Sequence, residues 1–260
     1  MTTSTEPVDA LRNRYLDLLR DSLVGLVHED PSLEERVSGG EMPFDRERRS
    51  EGKDWPSSAL SMIGAKRMLQ LQRAAEFVIE RGIPGDFIET GVWRGGACIL
   101  MRAVLAAHGV TDRRVWVADS FAGLPAPDAA RYPKDATNHL HVYPQLAVSA
   151  DQVRENFRRY RLLDDQVVFL EGWFRDTLPT APIGRLAVLR MDGDLYESTM
   201  DALTALYDKV VPGGIVIVDD YGILESCRSA VEDFRRERGI VETIYSIDDS
   251  GVHWQKQRAA

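Results

Sequence analysis

The chain has 260 residues, 44% hydrophobic and 28% charged, an ordinary globular composition that excludes disordered and fibrous classes. That length suffices for one large α/β domain with a full core. The formal charge of -9 argues against a nucleic-acid partner, because phosphate backbones are held by clustered Lys and Arg; a small-molecule substrate is expected instead.

The opening residues, MTTSTEPVDALRNRYLDLL, contain no basic-then-apolar leader, and no apolar run could span a bilayer, so a cytoplasmic protein without a membrane partner is expected. From Val8 to Val27 the apolar residues Leu11, Tyr15, Leu18, Leu19, Leu23 and Val27 follow the helical period. This helix lies outside the later core pattern and is available for self-association. A stretch rich in charge, Gly and Pro follows and reads as mobile. A second helix is predicted from about Ala59 to Glu80, with Ser57 or Ser58 as N-cap.

Short β-branched runs then alternate with helices. GDFIETG, RRVWVADS, QVVFLEG, RLAVLRMDG and GIVIVDDY read as strands, separated by helices that include GGACILMRAVLAAHG and YESTMDALTALYDKVVPGG. Such exchange predicts a doubly wound, mostly parallel sheet with helices on both faces. The tail GIVETIYSIDDSGVHWQKQ places two strand-like runs around DDSG and predicts an antiparallel hairpin, for a seven-stranded sheet in all. Residues Phe121 to Ala150 hold four prolines and two histidines without period, and so long a connection reads as a functional lid. Cys98 and Cys227 lack metal or redox spacing and read as reduced structural thiols.

Two constellations carry chemistry. The first is ExGxxxGG, with Glu89, Gly91, Gly95 and Gly96 between a strand and a helix. Glycine allows close ligand approach there, while the leading acid disfavours a pyrophosphate and suits a ligand with a cationic amino-acid portion. Asp119 ends the next strand, where an acid can accept both hydrogen bonds of a ribose diol. Together they fit S-adenosylmethionine. Ser120, Gly172, Trp173, Met62 and Asp192 are further candidates for the cofactor wall, although Trp173 suits a core aromatic equally well.

The second constellation is acidic. Asp192 and Asp194 follow one strand, and Asp219 and Asp220 follow the next, at the carboxyl edge where open α/β sheets bind ligands. Crowded carboxylates repel at low dielectric, and Arg190 is expected to point to the other side of its strand, so a divalent cation is the simplest counter-charge. An all-oxygen set selects a hard ion, Mg²⁺ first. Asp192, Asp219 and Asp220 are the expected ligands, and Asp194 is the expected base for an attacking hydroxyl. Asp194 also suits an N-cap of the following helix. Lys66 and Arg67 are expected on a solvated helix face.

The segments PGDFIETGVWRGGACI, VWVADSFAGLP, GWFRDTLP, LAVLRMDGDLYESTMDAL and PGGIVIVDDY closely resemble the macrocin and mycinamicin sugar O-methyltransferases, a family that includes the novobiocin noviose O-methyltransferase. The resemblance runs over nearly the whole chain. It implies a class I S-adenosylmethionine-dependent methyltransferase fold and Mg²⁺-dependent methylation of a deoxysugar hydroxyl on a glycosylated natural product. Its metal acids match Asp192, Asp219 and Asp220, and its base matches Asp194. The expected organisation is an N-terminal helix and mobile substrate-side segment over 1–57, then a methyltransferase domain over 58–260 with its lid at about 121–150. DWPS (Asp54 to Ser57) and the lid around NHLHVYPQLAVS depart from the macrolide enzymes, so the reaction transfers better than the acceptor. His139 and His141 in the lid suit surface or sugar contacts better than a base. A catechol-type O-methyltransferase with an aromatic slot is the alternative enzyme, and a silent S-adenosylmethionine-binding protein the alternative outside catalysis.

Overall fold

Alternation along the strands explains why the sheet is covered on both faces. Phe87, Val115, Val117 and Ile217 enter one apolar cluster, while their neighbours Ile88, Trp116, Ala118, Val216 and Val218 enter the other. The computed structural model describes residues 6–33 and 40–257.

The elements in chain order are α1 (Glu6–Leu23), β1 (Ser32–Leu33), β2 (Glu41–Met42), α2 (Arg46–Ser50), α3 (Gly64–Glu80), β3 (Asp86–Thr90), α4 (Gly96–Ala107) and β4 (Val115–Asp119). There follow α5 (Ala150–Arg159), β5 (Val167–Glu171), α6 (Phe174–Thr177), β6 (Leu186–Met191), α7 (Tyr196–Leu206), β7 (Val210–Val218), α8 (Glu225–Glu237), β8 (Tyr245–Ser246) and β9 (Val252–Gln255). β1 and β2 form a small antiparallel ribbon, and the main sheet runs β5-β4-β3-β6-β7-β9-β8. Its first five strands are parallel, and the β8–β9 hairpin pairs antiparallel against β7. The expected α/β class, the mostly parallel seven-stranded sheet and the terminal hairpin are all present.

Helices α1, α3, α4 and α5 pack on one face, and α7 and α8 on the other. The chain steps outward from β3 to β5 and returns to lay β6 beside β3, which puts the topological switch point between these two strands. There the two turns touch. A Cβ on Gly91 would lie 1.8 Å from the Asp192 carbonyl oxygen, and φ there is +85°. Gly91 is therefore required by the neighbouring strand end, in addition to the ligand approach and turn conformation that the sequence suggested.

Several boundaries differ from expectation. α3 begins at Gly64 rather than Ala59, and Ile63 occupies its N-cap without a side-chain bond. Ser58 instead gives its hydroxyl and amide hydrogens to Asp30, whose other oxygen takes the Ala59 amide at 2.9 Å. Within the segment expected to be mobile, Arg49 is a fully buried guanidinium bonded to Asp54 at 2.9 Å and to the carbonyls of Val24 and Asp30. A buried cation must be paired in this way, and the pairing fastens this part of the segment to the end of α1. The helix after the DGD turn ends at Leu206, because Val210 to Gly214 already belong to β7. Along α1, Leu16, Leu19 and Leu23 are buried, whereas Val8, Leu11, Tyr15 and Leu18 are exposed. Among the described residues, no helix is long and apolar enough to cross a membrane.

Candidate active site

A cavity of about 280 Å³ opens over the carboxyl ends of β3, β4, β6 and β7. Met62, Glu89, Gly91, Asp119, Ser120, Trp173, Asp192, Asp194, Asp219 and Asp220 all line it. Gly95 and Gly172 do not. Gly95, with φ +85°, backs onto Val153, and Gly172, with φ +138°, backs onto Thr177, so both shape turns behind the wall.

On the cofactor side the acids are already committed. Asp119 accepts the Val92 amide at 2.7 Å and the Phe121 amide at 2.8 Å, which ties the glycine turn to the end of β4. Burial raises its pKa, and the backbone amides oppose that shift. Glu89 gives one oxygen to the Arg190 guanidinium and takes the Cys98 thiol on the other at 2.9 Å. Burial pushes its pKa up to about 7 against the pull of Arg190. Cys98 and Cys227 are free and buried, as expected.

The acid side is different. Carboxylate oxygens of Asp192, Asp194 and Asp220 lie within 4.8 Å of one another. Burial raises all three carboxyls, and mutual repulsion with Asp219 adds to it. The Asp192 side chain keeps 24% of its exposure, so a solute can reach it from the cavity.

Asp219 lines the cavity beside the other expected ligands, and its two oxygens pair with Arg190 and Arg67, which leaves each oxygen a further lone pair for an ion. Arg190 is opposite to expectation: only 1% exposed, it points into the acids and pairs with Glu89, Asp192 and Asp219 from three adjacent strand ends. Arg67 is 7% exposed and joins Asp219 to Asp248 of the terminal hairpin, while its neighbour Lys66 is solvated as expected. A charged residue in the apolar run LAVLRM was the available signal for Arg190, since a cation inside a two-sided parallel strand must find acids at its ends.

The capping role considered for Asp194 is not seen. Leu195 is the N-cap of α7 and has no side-chain bond, while Asp194 holds φ +60°. Its amide donates to Asp220 at 3.3 Å and its carbonyl accepts the Ser226 hydroxyl at 2.9 Å, which leaves the carboxylate to the cavity. A Cβ on Gly193 would lie 3.1 Å from the Ser198 Cβ and away from the acid cluster. His139 sits in a separate cavity of about 470 Å³, and neither it nor His141 lines the acid cavity.

The donor set suits a hard divalent ion. Carboxylate oxygens of three acids converge within 4.8 Å, and among the described residues only Asp192 of the three is in an ion pair with a guanidinium.

Residues 12–256 match the macrocin O-methyltransferase family (TylF). The chain belongs to this family. It is 54% identical over 245 residues to the demethyldecarbamoylnovobiocin O-methyltransferase of Streptomyces niveus, covering 94% of both chains. It is 49% identical over 247 residues to the mycinamicin III 3''-O-methyltransferase of Micromonospora griseorubida, covering 93% of this chain and 96% of that one. The solved structure of the O-methyltransferase NovP superposes with a TM-score of 0.91 at 53% identity, over 95% of this chain and 100% of that one. Like the other members of the macrocin family, this chain is an O-methyltransferase. A calicheamicin methyltransferase, CalS11, shares the fold at a TM-score of 0.60 and 19% identity, over 75% of this chain and 80% of that one.

Proposed function

We propose that the protein transfers a methyl group from S-adenosylmethionine to a hydroxyl of a deoxysugar carried by a glycosylated natural product, assisted by a divalent cation, Mg²⁺ first. The observation that carries the reading is the convergent acid cluster of Asp192, Asp194 and Asp220 facing the same cavity as the glycine turn. The relatives named for sugar and antibiotic methylation support the acceptor class.

A cation in this cluster supplies charge that favours the ionised form of a hydroxyl. Asp192, Asp219 and Asp220 would hold it. Asp119 and the turn it braces would hold the nucleoside, and Glu89, held by Arg190, would set negative charge under the cationic end of the cofactor. Asp194 accepts the hydroxyl proton at its carboxylate as attack proceeds. The chain otherwise contributes alignment and dryness, because the methyl donor already carries its leaving group. Arg175, paired with Glu197 at 3.1 Å, lines the same cavity as Asp194 together with Ser198 and Asp201 and offers polar contacts to a hydroxyl-bearing acceptor, alongside the rings of Trp55, Trp173 and Phe174.

Incubation with labelled S-adenosylmethionine and Mg²⁺ against glycosylated macrolides, aminocoumarins and a catechol tests this directly. Labelled product is expected from a glycoside, and its loss with EDTA is expected. Transfer to the catechol alone, or full activity after metal stripping, would overturn the acceptor class or the cation respectively.

A further inference from the structure

The connection from 121 to 149 is fastened at a point that the reaction does not explain. Asp135, within it, is 1% exposed, and its two oxygens accept the backbone amides of Tyr196 at 2.7 Å and Glu197 at 3.1 Å. Those are the first amides of α7, the helix that starts two residues after Asp194. Helix N-termini expose such amides and attract a carboxylate, usually from the residue just before the helix. Here Leu195 occupies that place and has no acceptor to offer, so the acceptor comes from 61 residues earlier in the chain.

Neighbouring contacts repeat the attachment. Lys134 pairs with Asp233 of α8 at 3.0 Å and lies 5.3 Å from the Tyr196 ring, and the Tyr196 hydroxyl donates to the same Asp233 at 3.1 Å. The Tyr132 ring packs 6.0 Å from the Tyr196 ring. At the far end of the connection, the Trp93 indole of the glycine turn donates to the Gln145 carbonyl at 2.8 Å. Leu140, between these points, and Leu146, next to Gln145, reach the cavity.

We propose that Asp135 is a positioning residue that locks the lid to the Asp192–Asp194 turn, so that lid and acid cluster loosen and order as one unit. An acceptor that orders the lid thereby also fixes the backbone on which Asp194 sits. The chemistry of that turn rests on the function proposed above, but the lock itself does not.

Hydrogen exchange of the full-length protein bound to S-adenosylhomocysteine, followed by mass spectrometry, tests it without an acceptor. Asp135→Ala is expected to speed exchange roughly tenfold or more in both the 136–146 and 189–199 peptides, with α4 unchanged, as for one cooperative local opening. Asp135→Asn, which keeps one acceptor oxygen, should fall between, and serves if the alanine variant does not fold. Affinity for S-adenosylhomocysteine by calorimetry should stay within about twofold, since Asp135 lines no part of the cofactor wall. Faster exchange in 189–199 with the lid unchanged would make Asp135 a helix cap only and overturn the proposal, as would no change in either peptide. With an acceptor in hand, kcat and the acceptor KM should respond while the KM for S-adenosylmethionine does not, which a general loss of structure would not produce. Failure of every acceptor would reject the function and leave the exchange result standing.

Discussion

The two halves of the cavity are built on the same sheet edge but solve opposite electrostatic problems. On the cofactor side, Asp119 is occupied by two backbone amides and Glu89 by Arg190 and Cys98, so each carboxylate is satisfied by the protein itself. On the acid side, Asp192, Asp194 and Asp220 converge with too few guanidiniums to neutralise them. A satisfied acid braces a turn, whereas converging acids with too few partners of their own are where a cation from solution is proposed to bind.

The largest effect should come from the unsatisfied half. Asp194→Asn is expected to lower kcat by about 10²–10⁴, the usual span for loss of a general base, with S-adenosylhomocysteine affinity nearly unchanged by calorimetry. An equal loss in both would move Asp194 to the cofactor side of the comparison. Next is Arg190→Met, which removes the cation from Glu89 and Asp192 and leaves Asp219 with Arg67 alone. Denaturant unfolding should show a loss of about 3–5 kcal/mol, the scale for breaking a buried pair, and a near-neutral result would mean that the acids do not depend on it.

Asp119→Asn removes one of two acceptors for the turn amides. We expect S-adenosylhomocysteine to bind roughly tenfold more weakly, in line with a hydrogen bond to a charged group, with little change in cation affinity. The smallest effect should come from Lys66→Ala, which removes only an exposed ion pair with Glu51 and should change stability by less than about 1 kcal/mol. The adjacent Arg67→Ala, acting on Asp219 and Asp248, should exceed it clearly in the same melt.

Much of this division was legible in the sequence. Alternating apolar residues placed the strands, and the acids at their ends marked the edge where ligands gather, because both are local patterns read along one strand. What was not legible depends on pairing at a distance. Arg67 meets Asp219 across 152 residues, and only the fold shows that a helix expected to be solvated turns one cation inward. Arg190 looked outward for the same reason: strand alternation gives a side but not the acids waiting on it. Asp135 sat in a connection without period, where nothing local marks a residue that serves a distant helix. Gly91 was recognised, yet its reason, the nearby Asp192 carbonyl, belongs to a strand brought alongside by the return crossover. The charge-rich segment before α3 read as mobile because composition alone does not reveal that Arg49 is buried and paired.

The central claim is that the acid half of the cavity takes a divalent cation. Titration of the metal-free protein with Mn²⁺, followed by electron paramagnetic resonance, measures this without an acceptor. The account predicts one saturable site per chain that is lost in both Asp192→Asn and Asp220→Asn. Absence of a site in the unmodified protein, or a site that survives both substitutions, would contradict it.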